Sequence, residues 1–120
     1  MKKLQCHCGQ VEAEINIDKI FKILRCNCSI CKRKGAIMSM VKNEDFKIIK
    51  GADKLKLYKF HTNVAKHYFC SNCGIYTHHN PRSNPAMTGF NLGCLDNFDT
   101  FQFNDVEVND GANHPLDKKK

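Results

Sequence analysis

No run of apolar residues in this 120-residue chain approaches the roughly 18 that a membrane-crossing helix needs. The amino-terminal MKKLQCHCGQ carries Lys2 and Lys3 but no apolar stretch behind them, so a secretory leader is not expected. Internal repeats and low-complexity tracts are missing. A helical period is missing too, except for a turn or two after Asp96. These absences exclude a membrane helix and a repeat array. They leave a single soluble domain over residues 1–120, in the cytoplasm, as the expectation. Thiols stay reduced in that compartment, so eight cysteines are not expected to form disulfides.

What the chain does contain is a series of short strand patterns. QVEAEINI (10–17) alternates Val11, Ala13, Ile15 and Ile17 with polar residues, the period of a half-buried strand. IFKIL (20–24), AIMSMV (36–41), NEDFKIIKG (43–51), KLKLYKF (54–60), MTGFNLGCL (87–95) and TFQFNDVEV (100–108) read as further strands. In KLKLYKF, Leu55 and Leu57 are expected on one face, Tyr58 and Phe60 on the other. HYFCSNCGIYTHH (67–79) reads as strand, cysteine knuckle, strand, with Gly74 where a tight knuckle needs positive φ. Phe60, Phe69 and Phe90 are assigned to the core. Many short strands between turn signals predict a mainly β fold of antiparallel strands.

Seven of the eight cysteines fall in three clusters: Cys6 and Cys8; Cys26, Cys28 and Cys31; Cys70 and Cys73. Disulfide frameworks spread their cysteines, whereas C-x-C and C-x-x-C pairs suit one ion gripped from short turns. An iron–sulfur cluster is the other metal reading but lacks a familiar run of spacings, so zinc is favoured. A closed zinc site takes four protein ligands, and Cys6, Cys8, Cys70 and Cys73 supply four. Cys26, Cys28 and Cys31 are left as three, the arrangement of a catalytic site with an exchangeable position, unless a distant side chain completes it. The candidates are His67, His78, His79, His114 and Cys94. The ordinary reading of Cys94 is a buried small hydrophobe, and of His67, His78 and His79 a hydrogen-bonded support around a site. Strand alternation sends one of His78 and His79 towards the site. No general base is evident.

The formal net charge is +7. Seven thiolates around two zinc ions would lower it to about +4, which still favours anionic partners. The Lys118–Lys120 tail reads as a solvated end. The basic residues form no dense stripe with interleaved aromatics, so nucleic acid ranks low as a partner.

The motifs CHCG (6–9), CNCSICKRKGA (26–36) and YFCSNCGIYTHH (68–79), with DFKIIKGADKLKLYKF, GFNLGCLD and DGANHP, resemble the glutathione-dependent formaldehyde-activating enzyme family, whose domain is shared with centromere protein V. The resemblance covers about residues 4 to 116 and leaves a basic tail at 117–120. It implies a zinc-stapled β-tent fold with two zinc ions. It implies a structural ion on Cys6, Cys8, Cys70 and Cys73 and a catalytic one on Cys26, Cys28 and Cys31. It further implies a carbon–sulfur lyase-type reaction, the condensation of glutathione or a similar thiol with formaldehyde to S-(hydroxymethyl)glutathione. Lys32, Arg33 and Lys34 are then expected to hold the glutathione carboxylates. The other function class is a non-catalytic zinc-stapled module that binds a protein or nucleic acid. The fourth position at Cys26, Cys28 and Cys31 discriminates the two.

Overall fold

A computed structural model describes residues 1–20, 22–103 and 106–113. Among the described residues, ten strands form two sheets. They are β1 (Lys2–Gln5), β2 (Glu12–Ile15), β3 (Leu24–Cys26), β4 (Met38–Lys42), β5 (Phe46–Lys50), β6 (Leu55–Tyr58), β7 (Lys66–Cys70), β8 (Tyr76–Asn80), β9 (Met87–Asn91) and β10 (Glu107–Asn109). The smaller sheet has the order β1-β2-β5, the larger β10-β3-β4-β9-β8-β7-β6. Among the described residues no helix is long and apolar enough to cross a membrane.

The mainly β architecture follows the alternation. In β2, Ala13 and Ile15 are fully buried while Glu12 and Glu14 are half-buried on the other face. They join Leu4, Val41, Phe90, Leu92 and Leu95 in one apolar cluster. Two smaller clusters are built around cysteine: Cys6, Val11 and Cys70 with Leu55, and Cys28, Cys31 and Met38 with Leu24 and Ile30. The apolar core is thus divided, and two of its three parts surround thiols.

Four features depart from the sequence expectations. First, the chain forms a helix, α1 (Ser29–Lys34), inside the triple-cysteine motif. It is too short for a hydrophobic period to register. Its start is fixed by Cys28, whose sulfur accepts from the Cys31 N–H at 3.4 Å, and its end by Gly35 at φ 65°. Second, β10 pairs with β3 in parallel, not antiparallel. A long excursion between them returns the chain in the same direction. Third, β6 is the edge of the larger sheet, so Leu57 and Tyr58 remain 44% and 49% exposed instead of dividing between two covered faces. Fourth, β1 forms from KKLQ, which shows little alternation, because β2 supplies a full antiparallel partner. Of the assigned core aromatics, Phe90 is fully buried, while Phe60 and Phe69 are half-buried. The helical turn expected after Asp96 lies at Thr100–Gln102, where Asp99 accepts from the Phe101 N–H.

Candidate metal centres and the adjoining cavity

Two turns of the same design carry the first thiol group. After Cys6, the Gly9 N–H donates to the Cys6 carbonyl at 3.2 Å and the Cys6 N–H to the Val11 carbonyl at 3.1 Å. After Cys70, Gly74 donates to the Cys70 carbonyl at 2.8 Å and Cys70 to the Ile75 carbonyl at 3.0 Å. Gly9 and Gly74 both sit in the left-handed region, φ 78° and 77°, where a Cβ would be strained. Each knuckle turns its pair of sulfurs to one side, and the fold sets the two knuckles face to face. The sulfurs of Cys6, Cys8, Cys70 and Cys73 all lie within 4.8 Å of one another. The Cys6–Cys8 and Cys8–Cys70 sulfur separations are 3.6 and 3.7 Å. A tetrahedron of sulfurs about 2.3 Å from a zinc ion has edges of about 3.8 Å, whereas a disulfide holds its sulfurs about 2.05 Å apart. The donor set therefore fits a tetrahedral thiolate-bound ion. The Val11 N–H donates to the Cys6 sulfur at 3.3 Å, which fixes that side chain in the knuckle.

The second group comes from the end of β3 and the start of α1. Cys26, Cys28 and Cys31 also bring their sulfurs within 4.8 Å of one another. Among the described residues no fourth ligand joins them. Hydrogen bonds from the Cys26 and Cys31 thiols hold the Cys28 thiol far below its ordinary range, so it ionises first. The carboxyl-terminal segment straps this group. Asn27 donates to the Asp110 carboxylate at 3.0 Å and accepts from the Ala112 N–H at 2.9 Å, and Arg82 donates to the Gly111 carbonyl at 3.2 Å.

Beside the three thiols lies a cavity of about 280 Å³, whose wall includes Cys26, Cys28 and Cys31, Met38, His67, His79 and Arg82, and also Lys22 and Gly111. The back of the wall is a buried polar chain. His67 and His79 face each other across the β7–β8 pair, their rings stacked 5.6 Å apart. Lys34 turns inward from the last turn of α1 and donates to His67 Nδ1 at 2.8 Å, with its ammonium 3.7 Å from the centre of the Tyr76 ring. The Tyr76 hydroxyl and His79 Nδ1 share a hydrogen bond of 2.6 Å. Burial, and secondarily the Lys34 charge, lowers His67 to about 4 and His79 to about 3, so both rings are neutral at pH 7. Burial lowers Lys34 to about 8, and the nearby thiols keep it from falling further.

The residues singled out in the sequence separate into groups. All seven clustered cysteines fall into the two thiol groups. Cys94 stands apart, half-buried against the main core, with its thiol near the Tyr76 carbonyl at 3.7 Å. Of the histidine pair, His79 turns to the cavity, while His78 turns away, stacked on Tyr68 and hydrogen-bonded to Thr77. His114 and the tail at 117–120 lie outside the described residues. Lys32 and Arg33 are exposed, Arg33 folding back onto the Ser29 carbonyl at 2.7 Å, and neither is in the cavity wall. Lys34 is committed to His67. Sequence reasoning missed Arg82, Asn109 and Gly111 at the cavity. The only hint was the segment DGANHP, which contains Gly111, since nothing local ties these residues to thiols some 50 to 85 positions away.

The family profile described as glutathione-dependent formaldehyde-activating enzyme matches residues 1–108. A protein of Halomonas elongata, named provisionally as such an enzyme, is 28% identical over 76 residues, a match covering 57% of this chain and 48% of that protein. The matched stretch is thus about half the length of that curated relative. A crystal structure of a Rhodobacter sphaeroides protein is 42% identical and superposes with a TM-score of 0.85, covering 89% of this chain and 99% of that one.

Proposed function

The chain belongs to the glutathione-dependent formaldehyde-activating enzyme family, and we propose that it is a cytoplasmic zinc enzyme of the carbon–sulfur lyase type. It would condense glutathione, or a thiol like it, with formaldehyde to S-(hydroxymethyl)glutathione. The observation that carries this reading is the three-thiol group in the wall of a cavity, with no fourth ligand among the described residues. Cys6, Cys8, Cys70 and Cys73 would hold a structural zinc, tying β7 to the loop after β1. Cys26, Cys28 and Cys31 would hold the second. An ion held there would lower the pKa of a thiol that joined it.

The chain's own groups account for the rest. About 280 Å³ suits the cysteine arm of a tripeptide and a one-carbon aldehyde, with the peptide's ends outside. Carboxylate binding was expected of Lys32, Arg33 and Lys34. The cavity wall favours Arg82, together with Lys22, because a guanidinium there can meet a carboxylate on two parallel bonds. Met38 and the neutral faces of His67 and His79 keep bulk water from the reacting atoms. Calorimetry with protein carrying two zinc ions tests the reading. Glutathione should bind with release of about one proton, counted in buffers of different ionisation enthalpy. No heat, and no chemical-shift change around residues 25–35, would refute it.

A further inference from the structure

The polar chain behind the cavity contains one atom that the fold leaves unanswered. His67 is 5% exposed, and its Nε2 has no hydrogen-bond partner among the described residues. Buried polar atoms almost always have partners, and an orphan calls for a missing one. The other nitrogen of the ring, Nδ1, faces Lys34, which is not in the cavity wall, whereas His67 is. Nε2 is therefore on the ring edge away from Lys34, buried in a residue that forms part of the cavity wall.

Its protonation follows from the neighbour. An ammonium has only hydrogens to offer, so Nδ1 must accept, and the neutral ring then carries its hydrogen on Nε2. Lys34 is held in place for this by the Tyr76 ring beneath it. The chain thus holds a buried N–H donor in a residue of the wall that also contains the three thiols.

Resting on the condensation reading, we propose that His67 Nε2–H is the proton donor to the aldehyde oxygen, and that Lys34 is the positioning residue that fixes its tautomer and resupplies it. As the thiol sulfur bonds to the carbonyl carbon, the C=O π pair moves onto oxygen. That oxygen takes the Nε2 hydrogen, while Nδ1 takes one from the Lys34 ammonium. The proton given up by the thiol re-enters at Nε2, and Lys34 recovers its own from Nδ1. One thiol and one aldehyde give one hydroxymethyl thioether, and no other reagent is consumed. In the reverse direction the same nitrogen receives the hydroxyl proton. The absence of any evident base in the sequence is thereby explained, because the donor is made by a lysine and a histidine 33 residues apart.

The test uses zinc-loaded full-length protein and magnetisation-exchange NMR of glutathione with formaldehyde. His67→Phe keeps a ring beside His79 and Phe60 and removes the N–H. At saturating glutathione its protein-dependent exchange rate should fall at least tenfold, as loss of a general acid does, with the glutathione Kd and the two-ion content within twofold of wild type. His67→Gln, which retains a side-chain N–H, should recover part of the rate. Nitrogen-15 correlation spectra should place the His67 hydrogen on Nε2 in the wild type, and Lys34→Met should move that signature. A wild-type effect on exchange that His67→Phe leaves intact would overturn this inference alone, as would a hydrogen found on Nδ1. A wild type that binds glutathione but leaves exchange at the uncatalysed rate would overturn the condensation reading and this inference with it.

Discussion

Gly111→Ala is the sharpest probe of the second thiol group. A Cβ built on Gly111 would lie 2.5 Å from the Cys26 sulfur and 3.0 Å from the Cys28 Cβ. Non-bonded atoms of this size rest about 3.5–4.0 Å apart, so something must move by about 1 Å. The strap has little freedom to retreat. Arg82 holds the Gly111 carbonyl, Asn27 grips Asp110 and the Ala112 N–H, and β10 is paired to β3. The thiol is then displaced, at the roughly 1–3 kcal/mol typical of overpacking. Taken from the bound ion, that is a weakening of about fivefold to 150-fold in Kd. Titration with a chromophoric chelator should strip one ion from the variant much earlier than from wild type. The ion at Cys6, Cys8, Cys70 and Cys73 should respond as before and serves as the internal control. Equal chelator resistance of both ions in variant and wild type would refute the reasoning, as would equal weakening of the two.

Cys70→Ser should cost several kcal/mol of stability and broaden the amide NMR spectrum, because a closed metal site contributes folding free energy directly. Cys28→Ser should lose only the second ion and keep a dispersed spectrum; equal falls in Tm would make both sites structural. Arg82→Gln should weaken glutathione binding about five- to tenfold and flatten its salt dependence, while Lys32→Ala with Arg33→Ala should change it less than twofold; calorimetry at two ionic strengths decides between the two sets of cations. Acid should destabilise the fold through His78, which burial and, secondarily, the Lys34 charge lower from 6.5 to about 4. The fold favours the neutral ring, so the stability it contributes is complete above the unfolded value of 6.5 and is lost as pH falls towards 4, on the order of 3 kcal/mol in all. Urea unfolding at pH 8, 6.5 and 5 should show a shallower decline for His78→Phe, which keeps the stack on Tyr68; parallel declines would refute it.

The thiol groups were legible in the sequence because each cysteine turn is made locally. C-x-C-G and C-x-x-C-G contain in four or five residues everything a knuckle needs: two sulfurs, the turn between them, and a glycine for the left-handed step. Counting four and three then separated the two groups without knowledge of the fold. The β class was legible as well, since alternation such as Ala13 and Ile15 records which face of a strand is buried. Tertiary structure alone decided what surrounds the three thiols. The inward turn of Lys34 depends on α1, whose cap is a cysteine and whose length is too short to leave a period. The stacking of His67 on His79 depends on the register of β7 against β8, set by a bulge between Tyr68 and Phe69. The strap at Gly111 depends on β10 returning parallel to β3, more than 80 residues later. A residue's own turn is governed by its neighbours in the chain, and the sequence displays those. Its partner across a sheet is chosen by the packing of the whole domain, and no short stretch of sequence encodes that choice.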